Sequence, residues 1–194
     1  MKADFKVTID ACVLANAQVC NLLLTLAEKP RLLCPVWSEM ILDETYRTHT
    51  AKLKWSRELA DDFQSELKAT FPEAIVSDFE HIIPHLKNDE KDRHVLASAI
   101  HANSSLVLTF NLKEFPNFAL EPWNVEACHP QDYLTTLYEM EPVQLVSRIS
   151  AIAAKRKMDQ LDLLLKLGKS LPKEVDISAL ERFEESEWKE VLEE

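Results

Sequence analysis

Hydrophobic and polar positions change period repeatedly along the first two-thirds of the chain. Phe5 to Ile9 is apolar with β-branched residues and reads as a strand that ends at Asp10. Val13 to Glu28 carries a helical spacing in Leu14, Ala17, Leu22, Leu23, Leu26 and Ala27, and Pro30 stops it. Arg31 to Val36 is a second short strand. Ser38 then caps a helix whose buried side takes Ile41, Leu42, Tyr46 and Leu53. Ser56 to Thr70 is amphipathic and halts before Pro72, and Ala74 to Val76 gives a third strand. Asp89 caps a helix through Ala102 with Val95, Leu96, Ala99 and Ile100 on one face. Ser105 to Phe110 and Val125 to Cys128 complete the set of strands. From about Gln131 the pattern is helical: Pro142 to Met158, Asp159 to Leu167, and a stretch from Ser178. Strands alternating with helices predict a three-layer α/β/α sandwich around a four- to five-stranded parallel sheet, followed by a helical extension.

Composition narrows the chemistry. The 194 residues include one glycine, Gly168, so no glycine-rich loop can cradle a phosphate. Classical dinucleotide-binding folds, P-loop NTPases and protein kinases are thereby excluded. A net charge of -11 means that a nucleic-acid substrate would have to be met locally, by metal ions or a confined basic patch. No apolar run is long enough to span a bilayer, and no signal peptide is visible, so the cytoplasm is the expected location. Cys12, Cys20, Cys34 and Cys128 lack C-x-x-C spacing and read as reduced thiols rather than zinc ligands. The tail is uneven in charge. Residues 151–173 hold six Lys or Arg against two Asp, and residues 176–194 hold eight acids against two bases. Either stretch is a solvated helix face, or the basic one touches nucleic acid or an acidic partner.

Ligands of open α/β sheets bind beyond the carboxyl ends of the strands. Asp10 ends the first strand and Asn111 follows the fourth, in Leu-Thr-Phe-Asn. Asp92 lies in the first turn of the helix before that strand. Glu44, next to Asp43, lies on the helix after the second strand. Each alone is as well explained by a turn, a cap or a solvated face. Together they form a set of converging carboxylates, which repel one another unless a divalent cation is present. Hard oxygen ligands suit Mg²⁺ or Mn²⁺, the ions of phosphoryl chemistry.

The motifs Asp10-Ala-Cys-Val-Leu14, Pro35-Val-Trp-Ser-Glu-Met-Ile-Leu-Asp-Glu44, Asp89-Glu-Lys-Asp-Arg-His-Val-Leu-Ala-Ser-Ala99 and Leu108-Thr-Phe-Asn-Leu-Lys-Glu-Phe-Pro116 occur in that order. They resemble the PIN-domain family, nucleases typified by VapC-like toxins, from about residue 5 to 135. The resemblance implies a PIN-like domain over residues 1–135 and a helical extension over 136–194. It implies a metal site of Asp10, Glu44 and Asp92, with Asn111 as the fourth catalytic position, where the family carries Asp or Asn. Asn111 offers an oxygen without charge, which would leave a second metal site weak. Asp89 competes with Asp92 and is better used as the helix cap. By position, Thr109 and Asn16 could reach the site, and Arg93 and Arg47 could meet a phosphate at its edge. His94 is expected to pack or cap, pointing away from the site. His81 and His85 flank Pro84 and read as a loop. Trp37, Trp55 and Trp123 read as core or interface anchors.

The function implied is a Mg²⁺- or Mn²⁺-dependent endoribonuclease, as in the toxin half of a toxin–antitoxin pair. RNA is then the substrate, and an antitoxin and a second copy of the chain are the expected partners. A PIN-like scaffold that binds protein or RNA without cleavage is the alternative, left open by Asn111 and the acidic charge. An aspartyl-nucleophile phosphatase fails because it needs a second Asp two residues after the first, and position 12 is Cys.

Overall fold

The computed structural model describes residues 5–170. Five short strands, β1 (Lys6–Ile9), β2 (Cys34–Ser38), β3 (Ile75–Val76), β4 (Leu106–Leu108) and β5 (Glu126–Cys128), form one sheet in the order β3-β2-β1-β4-β5. All four pairings are parallel, with Thr8 opposite both Val36 and Val107. Parallel neighbours need crossovers, and helices supply them. The chain therefore alternates strands with α1 (Ala11–Leu14), α2 (Ala17–Ala27), α3 (Glu39–Arg47), α4 (Arg57–Thr70), α5 (Arg93–Ala102) and α6 (Asn117–Leu120). The architecture is the expected α/β/α sandwich. After β5 come α7 (Pro130–Met140), α8 (Pro142–Arg156) and α9 (Gln160–Ser170).

Burial on both faces explains why the strands read as continuous apolar runs. Val7, Ile9, Val107 and Leu108 are fully buried. Helix α5 packs on β1 through β4, and its Val95, Leu96, Ala97 and Ala99 are solvent-free. Helix α2 packs on β2 and is covered in turn by α8 and α9, whose Leu145, Ile149, Ile152 and Leu163 join the same core. With glycine almost absent, left-handed caps fall to other residues. Asn103 (φ 55°) closes α5 and Lys157 (φ 52°) closes α8.

Four local readings need correction. The helix expected over Val13 to Glu28 is broken after Leu14. Asn16, placed by the expected pattern inside that helix, caps α2 by accepting from the Val19 N–H at 3.3 Å. An Asn side chain that can serve the backbone competes with continuing the helix. The second strand sits further along, at Cys34–Ser38. The helix capped by Ser38 gives way at Thr48–Lys52 to a π-helical turn, so Leu53 is exposed rather than buried. Asp89 does cap, accepting from the Lys91 N–H at 3.0 Å, but it caps a 3₁₀ turn over Glu90–Asp92 that leads into α5. Trp37 is a core anchor as read, fully buried and edge-on to Phe71. The four cysteines are free thiols. The helix expected from Ser178 and the acidic stretch over 176–194 lie outside the described residues.

Candidate functional site

The register of β1 against β4 decides where the site forms. The Asp10 N–H continues the ladder by donating to the Leu108 carbonyl at 3.0 Å. This sets Asp10 beside Thr109, each one residue past its strand. Asp10 is 2% exposed, so its carboxylate needs donors in place of water. It has two on one oxygen: the Thr109 hydroxyl donates to Oδ2 at 2.6 Å, and the Cys12 thiol donates at 3.1 Å. Thr109 accepts in turn from the Asn111 N–H at 3.0 Å, and the Cys12 sulfur accepts from the Phe110 N–H at 3.4 Å. Burial and the neighbouring Asp10 charge push the Cys12 thiol far up, so it stays a protonated donor. Four residues thus fix one carboxylate, and its Oδ1 has none of these bonds.

Asp92 meets the opposite conditions. It is half-buried, at the junction of the 3₁₀ turn and α5, and its side chain caps nothing. Burial pushes its carboxyl up to about 7, and the charges of Asp10, Glu44, Asp89 and Glu114 push in the same direction. Each expected carboxylate position therefore feeds one electrostatic pool. Within it, Asp89, Asp92 and Glu114 bring one carboxylate oxygen apiece within 4.8 Å of one another. A cluster of this kind is relieved by a divalent cation, and the all-oxygen donor set is what Mg²⁺ or Mn²⁺ takes.

Glu114 was not among the residues expected from the sequence. It closes a 3₁₀ turn over Leu112–Glu114, where its N–H donates to the Asn111 carbonyl at 2.9 Å. Its own carbonyl accepts from the Asp89 N–H at 3.1 Å, which ties the two acidic loops together. The signal was available: three residues make one 3₁₀ turn, so Asn-Leu-Lys-Glu returns the Glu to the side of the Asn. Asn111 itself is exposed.

Glu44 is carried on α3, held at its start by Ser38 accepting from the Ile41 N–H. Its Oε2 lies 3.6 Å from His94 Nε2. His94 therefore does not point away. The Lys91 carbonyl, which can only accept, takes the Nδ1 proton at 2.8 Å, and the packing of α3 against α5 leaves Nε2 facing Glu44. Arg93 is half-buried, with its Nε donating to the Asn88 carbonyl at 3.4 Å. Arg47 is exposed one turn beyond Glu44, with its Nε donating to the Asp43 carbonyl. His81 and His85 lie in a 3₁₀ turn over Glu80–His85.

The chain is 43% identical over 56 residues to a curated protein of Mycobacterium tuberculosis (strain ATCC 25618 / H37Rv) whose name is "Putative ribonuclease VapC50". The match takes in 29% of this chain and 33% of that protein, so it spans about a third of the relative's length. No family model and no solved structure matches the chain. Over that stretch the likeness is to the VapC/PIN-domain family, in agreement with the sequence motifs.

Proposed function

We propose that this chain is a metal-dependent endoribonuclease, the toxin component of a toxin–antitoxin pair that acts in the cytoplasm. The observation that carries the reading is the convergence of Asp89, Asp92 and Glu114, one carboxylate oxygen apiece within 4.8 Å of one another, where the charges of Asp10 and Glu44 also reach Asp92. Acids that repel one another in this way are a liability for stability unless a cation is bound. The partial likeness to a protein named as a ribonuclease supports the same reading. Among the described residues no helix is long and apolar enough to cross a membrane.

Asp10, Glu44 and Asp92 are the residues to hold Mg²⁺ or Mn²⁺, joined by Glu114 and Asp89, with the Asn111 amide oxygen at the rim. When bound, the ion supplies charge stabilisation at the scissile phosphate and eases the ionisation of water. The protein's own contribution is positional. Thr109 and Cys12 hold Asp10 Oδ2 and leave Oδ1 without either bond. His94 faces Glu44 across 3.6 Å. Asp92 exchanges a proton near neutral pH and gives it up when a cation arrives. Arg93 and Arg47 are candidates to meet phosphate at the edge. An antitoxin would silence the enzyme by covering these acids, and a homodimer is the expected assembly.

The reading is tested by calorimetry with Mn²⁺ on the full chain and on Asp10→Asn with Asp92→Asn, alongside cleavage of single-stranded RNA. Saturable binding and cleavage, both lost in the double variant, are expected. A folded wild-type protein that binds no Mn²⁺ would instead favour the non-catalytic scaffold.

A further inference from the structure

Beside the acidic site runs an open groove of about 560 Å³ between α3, the π-helical turn and the 3₁₀ turn before α5. Its cations outnumber its acids by three to two. Arg47, Lys52 and Lys91 line it, in a chain whose net charge is -11. Among the described residues, none of the three has an acid at ion-pair distance, whereas Arg31, Lys68 and Lys113 elsewhere do. Unneutralised cations gathered in one groove of an acidic protein are placed for an anion from outside. The groove's acids are Asp43 and Glu44, and Glu44 is the one shared with the metal-site candidates. The groove therefore adjoins Glu44, whose charge reaches Asp92.

The local backbone explains how the cations come to line one groove. Between Thr48 and Lys52 the helix widens, and the Leu53 N–H reaches back five residues to the Thr48 carbonyl at 3.0 Å. Such turns are rare and frequent at functional sites. This one is pinned from beneath. His49 is fully buried, stacked on Trp55 at 3.8 Å and edge-on to Phe63. Arg47 and Lys52 are five residues apart, close to one turn of a helix closed by i→i+5 bonds, so the widened turn brings Lys52 back toward the side of Arg47. Met40, 42% exposed, adds an apolar surface among the charges, suited to a base or a sugar.

We propose that this groove carries the backbone of single-stranded RNA past the acidic site, with Arg47, Lys52 and Lys91 each meeting a phosphate. The inference rests on the ribonuclease reading and adds the path of the substrate. A free phosphate would not need three cations spread along an open channel, and an acidic peptide would not need the metal site at its end.

The test uses the full chain carrying Asp10→Asn, so that bound RNA stays intact, and a fluorescein-labelled single-stranded RNA of mixed sequence followed by anisotropy. Arg47→Gln, Lys52→Gln and Lys91→Gln together are expected to weaken binding at least tenfold at 0.1 M salt. The slope of log affinity against log salt should become shallower by about 2, at about 0.7 per phosphate contact for single strands. A control set, Lys6→Gln and Lys29→Gln, removes charge from exposed positions outside the groove and outside the basic stretch over 151–173, and should change the slope by less than a third as much. Lys52→Gln alone, fully on the surface, should lower the slope by about 0.7, and circular dichroism guards against misfolding. An unchanged slope, or an equal loss in the control set, would overturn the groove while leaving Mn²⁺-dependent cleavage by wild type as it stands. RNA binding lost in the triple variant, with no cleavage by wild type, would keep the groove and sink the nuclease. If labelled polyglutamate binds and RNA does not displace it, the groove serves an acidic protein and the proposal fails.

Discussion

Asp10 and Asp92 are both acids at the carboxyl edge of the same sheet, and the protein treats them in opposite ways. Asp10 is buried at a strand end and satisfied by Thr109 and Cys12. Asp92 is half-buried in a turn and is pushed up to about 7 by burial and by four other acids. One is a fixed point built into the sheet. The other is held at a cost that a bound cation would remove. The difference separates what the scaffold supplies permanently from what it leaves for a ligand to complete, and it can be broken from either side.

The largest effect should come from the two aspartates, and it should split. Asp10→Asn and Asp92→Asn are each expected to lower Mn²⁺-dependent RNA cleavage at least a thousandfold. Their effects on the metal-free protein should diverge. Asp92→Asn removes a repelled carboxylate and should raise the melting temperature at pH 8 in chelator. Asp10→Ala strands the Thr109 hydroxyl in a buried site and should destabilise by about 1–3 kcal/mol. Equal shifts of one sign from both variants, seen by calorimetric melting, would erase the distinction.

How far the sequence disclosed this pair follows from the kind of structure each occupies. Asp10 was legible because a strand end is fixed by an apolar run and a parallel register. Glu44 was legible because Ser38 caps its helix, and Asp92 because the Asp89 cap fixes the turn that leads into α5. What escaped lies in non-repetitive backbone. Glu114 sits on a 3₁₀ turn, Lys52 on a π-helical turn, and neither has a hydrophobic period to announce it. The break at Asn16 escaped for a related reason: Val13 and Leu14 are buried on α1 and Val19 on α2, so one apolar pattern runs through two helices. His94 escaped because spacing along α5 says nothing about the rotation of α3, which presents Glu44 to it.

The next effect concerns protons. Between pH 3.8 and about 7 the folded chain holds an Asp92 proton that the unfolded chain has released. The stabilisation is complete below 3.8 and is lost as pH rises through about 7. In chelator the melting temperature should therefore fall from pH 5 to pH 8, and Asp92→Asn should flatten that slope. Mn²⁺ affinity should run the other way, falling about tenfold per unit as pH drops below the Asp92 value, because the ion must displace one proton. A melting temperature that rises over this range would mean that Asp92 is charged without a cation, and the contrast with Asp10 would collapse.

Thr109 tests the fixed side at smaller amplitude. Thr109→Val keeps the shape and removes the donor to Asp10, a bond to a charged group worth about 1.5–3 kcal/mol. If about 1.4 kcal/mol of that is felt in the transition state, cleavage should fall roughly tenfold, and Thr109→Ser should restore most of it. If valine costs stability but leaves kcat unchanged, Thr109 supports the fold and not the aim of Asp10.

Glu114 is the finest probe, because it sits where the two kinds of acid meet. Asn111 follows β4 as a neutral residue, and Glu114 brings a charge back to the same side one 3₁₀ turn later. If Glu114 compensates for Asn111, then Glu114→Gln should weaken Mn²⁺ three- to tenfold and lower the Asp92 carboxyl toward its ordinary range. Asn111→Asp in that background should recover the affinity, since the charge would return from the neighbouring position. The reverse pattern is equally informative. A full-strength site in Glu114→Gln would mean that Asp89, tied to this loop by its N–H, already suffices beside Asp92. Carbon-detected NMR titration of the Asp92 carboxyl, with Mg²⁺ in place of paramagnetic Mn²⁺, separates the two cases. It reads the charge around Asp92 directly, whatever the variants do to the cleavage rate.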